Sequence, residues 1–265
     1  LDGGNADDLI FGGAGDTVDG GAGYDTLDLS VYRHSGTQII YDPTNPQNGT
    51  VQFLDSSGAV TGTLGFTNIE HVIACFTPGT MISTRGGELR VEDLAVGDLV
   101  LTRDNGYQPI QWLGRRDLSA DELRATPKYN PIRISAGALG QGLPRQDMLV
   151  SPQHRVLVAN ARAELLFAEH EVLVAAKHLT DLQGIDRIAP QGVSYIHFMF
   201  ENHEIVLSDG AWTESFQPGL GSLAGLLDAQ RDEILELFPA LRQGEDYPAA
   251  RITLRGREAR VLVAA

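Results

Sequence analysis

Cysteine is nearly absent from this chain of 265 residues, which carries one, at position 75. A single thiol excludes an internal disulfide framework and any zinc site built from several thiolates. Basic side chains are scarce as well: 20 Lys and Arg stand against 35 Asp and Glu, a formal net charge of −15. That balance argues against a nucleic-acid partner, which would need a basic face. No apolar run reaches the roughly 18 residues that a membrane-crossing helix needs. The chain opens at Leu1 with no basic–apolar–small leader, and reads as a piece of something longer. Its length suffices for one large or two modest domains, each with an ordinary hydrophobic core.

The acidic excess is uneven. Residues 1–74 hold ten carboxylates against Arg33 alone, a net charge of −9, which leaves −6 for the remainder. This shift in composition sets a boundary near Cys75. Within the first stretch lies an internal repeat: Gly3-Gly4-Asn5-Ala6-Asp7-Asp8-Leu9-Ile10-Phe11, then Gly12-Gly13-Ala14-Gly15-Asp16-Thr17-Val18-Asp19, then Gly20-Gly21-Ala22-Gly23-Tyr24-Asp25-Thr26-Leu27-Asp28. The third unit matches the nonapeptide G-G-x-G-x-D-x-U-x at every fixed position. The first has Ala6 for one glycine, and the second is one residue short. That pattern belongs to calcium-bound parallel β-rolls, in which glycines form left-handed turns and each Asp offers a hard oxygen ligand. The candidate ligands are Asp8, Asp16 and Asp25, with the turn carbonyls of Gly3, Gly12 and Gly20. A flexible Gly/Asp-rich linker is the plainer alternative. The three units resemble the end of an RTX (repeats-in-toxin) array.

The pattern after the repeats predicts a mainly β protein. Thr37–Tyr41, Thr50–Leu54 and Val60–Phe66 read as a small meander, followed by an extended approach, Thr67–Ala74, to the cysteine. From Cys75 to Pro218, short β-branched or aromatic runs alternate with turn signals, as in an all-β sandwich or barrel-like domain. The expected strands are Val96–Thr102, Ile110–Leu113, Pro131–Ser135, Leu149–Ser151, Arg155–Val158, Glu171–Ala175, Tyr195–Phe200 and Glu204–Ser208. One helix is expected at Ser222–Phe238, ended by Pro239, and a strand pair, Arg251–Leu254 with Ala259–Val263, at the close. The organisation is then repeats at 1–30, a β-rich linker at 31–74, a β domain at 75–218, and a helix-and-strand extension at 219–265 packed on that domain.

A solitary cysteine is usually a small buried hydrophobe. Cys75, however, sits at the composition boundary, before Pro78-Gly79, and a second motif downstream supplies acid–base groups: Ser151-Pro152-Gln153-His154, just ahead of Arg155–Val158. A hydroxyl and an imidazole three residues apart can face one peptide bond. Among the other polar residues, Thr80, Asp98 and Asp147 read as turn or loop residues.

These blocks resemble those of Hint (Hedgehog/intein) domains. Cys75-Phe76-Thr77-Pro78-Gly79-Thr80-Met81-Ile82 and Val91–Val100 are similar to the opening block, and Ser151–Val158 to the T-x-x-H block with Ser for Thr. Tyr195–Val206 is similar to the late block whose histidine supports cleavage, while Glu171–Leu179 and Thr213-Glu214-Ser215-Phe216 resemble a bacterial branch that often follows RTX repeats. The resemblance covers Cys75–Pro218 and implies an all-β Hint domain that cuts its own chain. In that reading the Cys75 thiolate attacks the carbonyl of Ala74, an N-to-S acyl shift that gives a thioester. Ser151 holds the scissile amide, His154 protonates the departing nitrogen, and His203 and His197 of the late block support the step. His197 stands near the place where inteins often carry an Asp, and the base for Cys75 stays open.

Full inteins end in His-Asn before Cys, Ser or Thr. No His-Asn dipeptide occurs here and no Asn follows Asn202, so complete splicing is not expected. What remains is cleavage, with water or a small or protein nucleophile as acyl acceptor and the chain's own upstream segment as substrate. Sterol transfer lacks a visible binding extension. The RTX resemblance implies Ca²⁺ in the repeats and an extracellular location, while the Hint chemistry needs no cofactor. Two alternatives stand beside this reading: a secreted calcium-binding surface protein whose Hint fold is inert, and a conventional cysteine hydrolase acting in trans.

Overall fold

The computed structural model describes residues 1–4, 9–21, 25–29, 37–42, 45–55, 58–69, 74–218, 234, 237, 238 and 247–263. The chain forms two compact units. The first includes Leu1–His71, and the second includes Val72–Gly219 and Asp246–Ala265.

In the first unit three short strands come from the repeats: β1 (Leu9–Phe11), β2 (Thr17–Asp19) and β3 (Thr26–Asp28). β1 pairs with β3 in parallel, Leu9 opposite Thr26, and passes over β2. β2 instead joins β4 (Thr37–Asp42), β5 (Asn45–Leu54) and β6 (Val60–Thr67) in a sheet of order β2-β6-β5-β4, pairing in parallel with β6. Alternate repeat strands therefore lie in different sheets. Glycine makes the winding possible: Gly4 and Gly21 hold φ of 97° and 88°, and a Cβ on Gly21 would lie 2.2 Å from the Gly4 carbonyl oxygen. Val18, Leu29, Val51, Phe53, Leu64, Phe66 and Ile69 fill the core. A repeat strand, β2, thus completes the sheet formed by the meander after residue 30. The approach to the cysteine falls partly on residues 70–73, outside the described residues.

The second unit is built on β7 (Met81–Thr84), β8 (Gly87–Arg90), β9 (Leu99–Thr102), β10 (Gly106–Pro109), β14 (Arg155–Ala159), β15 (Glu171–Ala175), β18 (Ile205–Ser208) and β19 (Ala211–Glu214), which form one eight-stranded sheet. A long antiparallel pair, β11 (Trp112–Ser119) with β17 (Gly192–Met199), and a small sheet of β13 (Met148–Val150), β12 (Ile132–Ile134) and β16 (Ile185–Arg187) complete it. Phe76 stacks on Phe198 with ring centroids 5.4 Å apart, at the heart of an aliphatic core that includes Ile82, Val100, Ile132, Val150 and Val206.

Three differences from expectation are local. The run predicted as Ile110–Leu113 is the junction of β10 and β11. Helices α1 (Ala120–Ala125) and α2 (Ala161–Phe167) interrupt the β pattern, each begun by its own cap. Ser119 and Glu122 form a reciprocal capping box, and Asn160 Oδ1 accepts the Ala163 N–H at 2.8 Å. The closing strand pair does not exist. Thr253 makes one parallel bridge to Leu173, and the second predicted strand, Ala259–Val263, lies in helix α3 (Gly256–Val263). Helix wins over the β-branched composition because Glu258 accepts the Arg255 N–H at 2.7 Å, while Ala259 and Leu262, three apart, both turn into the core. The expected helix Ser222–Phe238 lies mostly outside the described residues; Phe238 N–H donates to Ile234 O at 2.8 Å.

Two glycine substitutions test the winding. Gly15, at φ 93°, has nothing within 4 Å of a built Cβ, so Gly15→Ala should cost only left-handed strain, about 1 kcal/mol. Gly21→Ala adds a collision with the Gly4 backbone and should cost clearly more, about 2–3 kcal/mol, by urea unfolding.

Candidate functional site

Cys75 opens a short extended segment laid between two strands. Phe76 exchanges both backbone hydrogen bonds with Ile196 of β17, each 2.8 Å, and faces Val150 of β13 on its other side. One residue earlier, two bonds tie Cys75 to Ser151: Ser151 N–H donates to Cys75 O at 2.9 Å, and Cys75 N–H donates to Ser151 Oγ at 2.9 Å. That last N–H belongs to the Ala74–Cys75 peptide bond. Downstream, Thr77 and Thr80 satisfy backbone carbonyls with their hydroxyls, and Gly79 turns the chain at φ 94°. Thr80 is thus a turn residue, and Asp98 and Asp147 likewise accept backbone N–H groups, from Ala95 and Ala136.

The turn after β13 carries Ser151 and His154. It is closed by His154 N–H to Ser151 O at 3.0 Å and held from outside by Ala176 N–H to His154 O at 2.9 Å. The His154 ring meets Phe76 edge-on, centroids 4.3 Å apart, and among the described residues neither ring nitrogen has a hydrogen-bond partner. Burial pushes its pKa down to about 4; Glu214 pulls it up, and Arg155 pushes it down again.

His197 comes closest to the sulfur. Its Nδ1 lies 3.4 Å from Cys75 Sγ. The ring stands on β17 opposite Gly114 of β11, stacked on Trp112 at 5.1 Å and beside Phe216 at 5.5 Å. A Cβ on Gly114 would come within 2.5 Å of His197 Nε2 and 2.3 Å of the Trp112 ring, so only glycine leaves room for this packing. Burial first, and then the Arg116 charge, lowers the His197 pKa to about 3. Cys75 itself is 3% exposed. Burial drives its thiol well above the ordinary range, Arg116 and the Ser151 bond oppose that rise, and Glu214 adds to it.

His203 is differently engaged. Its Nδ1 accepts the Ala250 N–H at 3.0 Å, and its Nε2 lies 3.4 Å from Glu214 Oε2. The fully buried Glu214 side chain also accepts from Arg155 twice, at the backbone N–H and at Nη1, both 2.8 Å. Burial raises the Glu214 pKa, but Arg155 and His203 outweigh it, and the carboxyl lies below the usual range. The structure therefore sets Ser151 and His197 each against Cys75, packs His154 against Phe76, and commits His203 to Ala250 and Glu214. Sequence reasoning assigned no role to Arg155, Glu214, Gly114 or Arg116. A lone carboxylate inside the strand Ala211–Glu214 was the one available signal.

The candidate calcium ligands are more scattered. Asp8 lies outside the described residues, exposed Asp16 accepts the Gly13 N–H at 2.8 Å, and Asp25 is fully buried. Among the described residues no group of three or more His, Cys, Asp or Glu side chains could hold a metal ion. Gly20 lies tight against Asp25, where a Cβ would sit 2.7 Å from Oδ2. Among the described residues no helix is long and apolar enough to cross a membrane.

A family model described as the Hint domain matches residues 74–220. Similar solved structures include the gp41-1 intein, at 11% identity and a TM-score of 0.32, with 53% of this chain covering 97% of that one. The AceL NrdHF class 3 split intein is 13% identical with a TM-score of 0.37, and 53% of this chain covers 96% of it. A bacterial intein-like domain from Clostridium thermocellum is 13% identical with a TM-score of 0.35, and 54% of this chain covers 99% of it. No curated protein matches.

The two buried neutral histidines make stability depend on pH. Their folded pKa values, about 4 and about 3, lie below the ordinary 6.5, so the unfolded chain binds more protons between these limits. Stability should be complete above about pH 6.5 and fall as the pH drops toward 4, by up to about 1.4 kcal/mol per unit for each histidine. Urea unfolding between pH 7.5 and 4.5 should show this slope, and His197→Gln should flatten it.

Proposed function

The chain belongs to the Hint domain family, and from that premise we propose that it cuts itself at the Ala74–Cys75 bond by an N-to-S acyl shift. The observation that carries the reading is the hydrogen bond from the Cys75 N–H to Ser151 Oγ, with His197 Nδ1 3.4 Å from the sulfur. A nucleophile, an imidazole and an anchor on the scissile nitrogen converge on one peptide bond.

The shift is balanced within the site. Sγ bonds to the Ala74 carbonyl carbon, the C–N bond breaks, and the proton lost from sulfur is the one the Cys75 nitrogen must gain. His197, neutral at pH 7, relays it, taking it at one ring nitrogen as the other gives one up. Ser151 fixes the direction of the N–H. As the amide loses its double-bond character, the nitrogen lone pair opens away from Ser151, and a proton can be added there. We assign that delivery to His154, which passes on the proton relayed by His197 and is neutral before and after the step; among the described residues its ring nitrogens make no competing hydrogen bond. Water, or another nucleophile, then adds to the thioester carbon, the C–S bond breaks and returns the thiol to Cys75, and residues 1–74 leave with a carboxylate at Ala74 when water attacks, or with Ala74 joined to the other acceptor. His203, held by Glu214 and Ala250, supports the fold of the late block rather than the transfer itself. Burial keeps Cys75 protonated at rest and denies a separate substrate access to the sulfur, which counts against a hydrolase acting in trans.

The same burial favours one second reading, an inert Hint fold beneath a secreted calcium-binding surface protein. Incubating the full chain with dithiothreitol and weighing the products separates the two. Cleavage gives fragments of 74 and 191 residues, Cys75→Ala stays whole, and Ser151→Ala slows cutting by about tenfold, the worth of one hydrogen bond to a reacting group. A parent chain that stays whole as Cys75→Ala does would leave the inert reading.

For the repeats we propose calcium binding by Asp8, Asp16 and Asp25 with the carbonyls of Gly3, Gly12 and Gly20, in an RTX-type roll exported to an extracellular calcium supply. The close stacking of the Gly4 and Gly21 turns supports this, because it brings alternate turns onto one side of the winding. The ion would offset part of the −9 charge of residues 1–74. Calcium titration should raise the β signal in circular dichroism, and Asp25→Asn should remove most of that change; a spectrum unmoved by calcium would count against the assignment.

A further inference from the structure

Cys75 and His197 face a cation whose place in the fold is set by strand register. In the β11–β17 pair, Gly114 lies opposite His197 and Arg116 opposite Tyr195. The His197 ring occupies the side on which a Gly114 Cβ would project. Side chains two apart on a strand share a face, so Arg116 extends from that same side, one pair along from His197. Its guanidinium lies over the Tyr129 ring, 5.7 Å from the centroid, and the Tyr195 hydroxyl ties that region together by donating to Tyr129 O at 2.6 Å. An aromatic seat of this kind holds a planar guanidinium in place.

We propose that Arg116 is the fixed countercharge of the Cys75 thiolate, the group that lets a buried sulfur ionise while His197 remains neutral. The proposal rests on the self-cleavage reading and deepens it. A thiolate in this pocket needs a positive partner, and two could serve: an imidazolium on His197 or the guanidinium of Arg116. Arg116 on the shared face disfavours the first, because a second positive charge on His197 would stand beside it. It favours the second, because the sulfur, 3.4 Å from His197 Nδ1, lies toward the same side. The other charged or titratable groups facing Cys75 do not fill this role. His154, on the turn after β13, is neutral at pH 7, and Glu214, on β19, opposes ionisation of the thiol. Among these influences Arg116 is the largest that pulls the thiol back toward its ordinary range. The proton from Sγ is relayed through His197 and His154 without resting on either and ends on the Cys75 nitrogen, so Arg116 changes neither its charge nor its bonding during the step.

Because the chain has a single cysteine, thiolate absorbance near 240 nm reports this one sulfur. A stopped-flow pH series on the full chain, with Cys75→Ala as blank, gives its titration before any turnover. Arg116→Gln is expected to move the thiolate transition upward by one pH unit or more, a tenfold smaller thiolate fraction at a fixed pH below it, and Arg116→Lys to restore most of the parent profile. Equal titration of Arg116→Gln and parent would overturn the proposal. Should Arg116→Gln lose its fold by circular dichroism, Tyr129→Leu takes its place, removing the seat while keeping the charge; it should raise the transition by about half a unit, and an unmoved curve would overturn the proposal as well. The readout does not need cleavage. A chain that is never cut but whose thiol follows Arg116 refutes the self-cleavage reading alone.

Discussion

The pair of hydrogen bonds between Cys75 and Ser151 organises the second unit's site. Each residue gives its backbone N–H to the other, one to a carbonyl and one to a hydroxyl, both at 2.9 Å. Through Cys75 the pair fixes where the first extended residues enter between β13 and β17. Through Ser151 it fixes the turn that carries His154. It brings Cys75 together with a segment 76 residues further along the chain, while His197, which reaches the sulfur, lies 122 residues beyond it. Glu214 does comparable work from behind: it takes the Arg155 N–H, next to His154, and faces His203. Two short polar clusters, one at the Ala74–Cys75 bond and one at Glu214, thus tie together segments of an otherwise apolar core.

Burial governs the chemistry of this arrangement. Desolvation raises the thiol and lowers both imidazoles, so every proton-bearing group at the site is neutral at rest. Such a site holds no standing charge for water to solvate. It keeps its proton inside a closed set of partners, and its reactivity depends on the few fixed charges nearby, of which Glu214 and Arg116 act with opposite sign.

Much of this was legible in the sequence because it is local. The blocks around Cys75, Ser151 and His154 are short, contiguous runs that resemble those of Hint domains, and the alternation of β-branched runs places most strands within a few residues. The repeats were legible for the same reason, since glycine is the residue that tolerates the left-handed turn. What stayed hidden depends on contacts distant in sequence. No local pattern says that His197 reaches the sulfur, because that follows from its pairing with Gly114 on a strand eighty-three residues earlier. The end of the chain misled for a physical reason: Arg-Val-Leu-Val composes like a strand, and only the Glu258 cap and the burial of Ala259 and Leu262 turn it into a helix.

The deep setting of the Cys75 nitrogen bears on the direction in which an acyl shift would run. Breaking the bond converts an uncharged amide into a primary amine, and an α-amino group in water carries a proton at neutral pH. In this enclosure, with Arg116 near the sulfur, a new ammonium would be poorly accommodated, so the amine stays unprotonated beside the thioester it has just left. An unprotonated amine so close is the best available nucleophile for reversing the step. In the proposed shift the equilibrium would therefore favour the original amide until the new terminus turned out into solvent, and that escape would give water or another nucleophile the time to break the thioester and make the cut permanent.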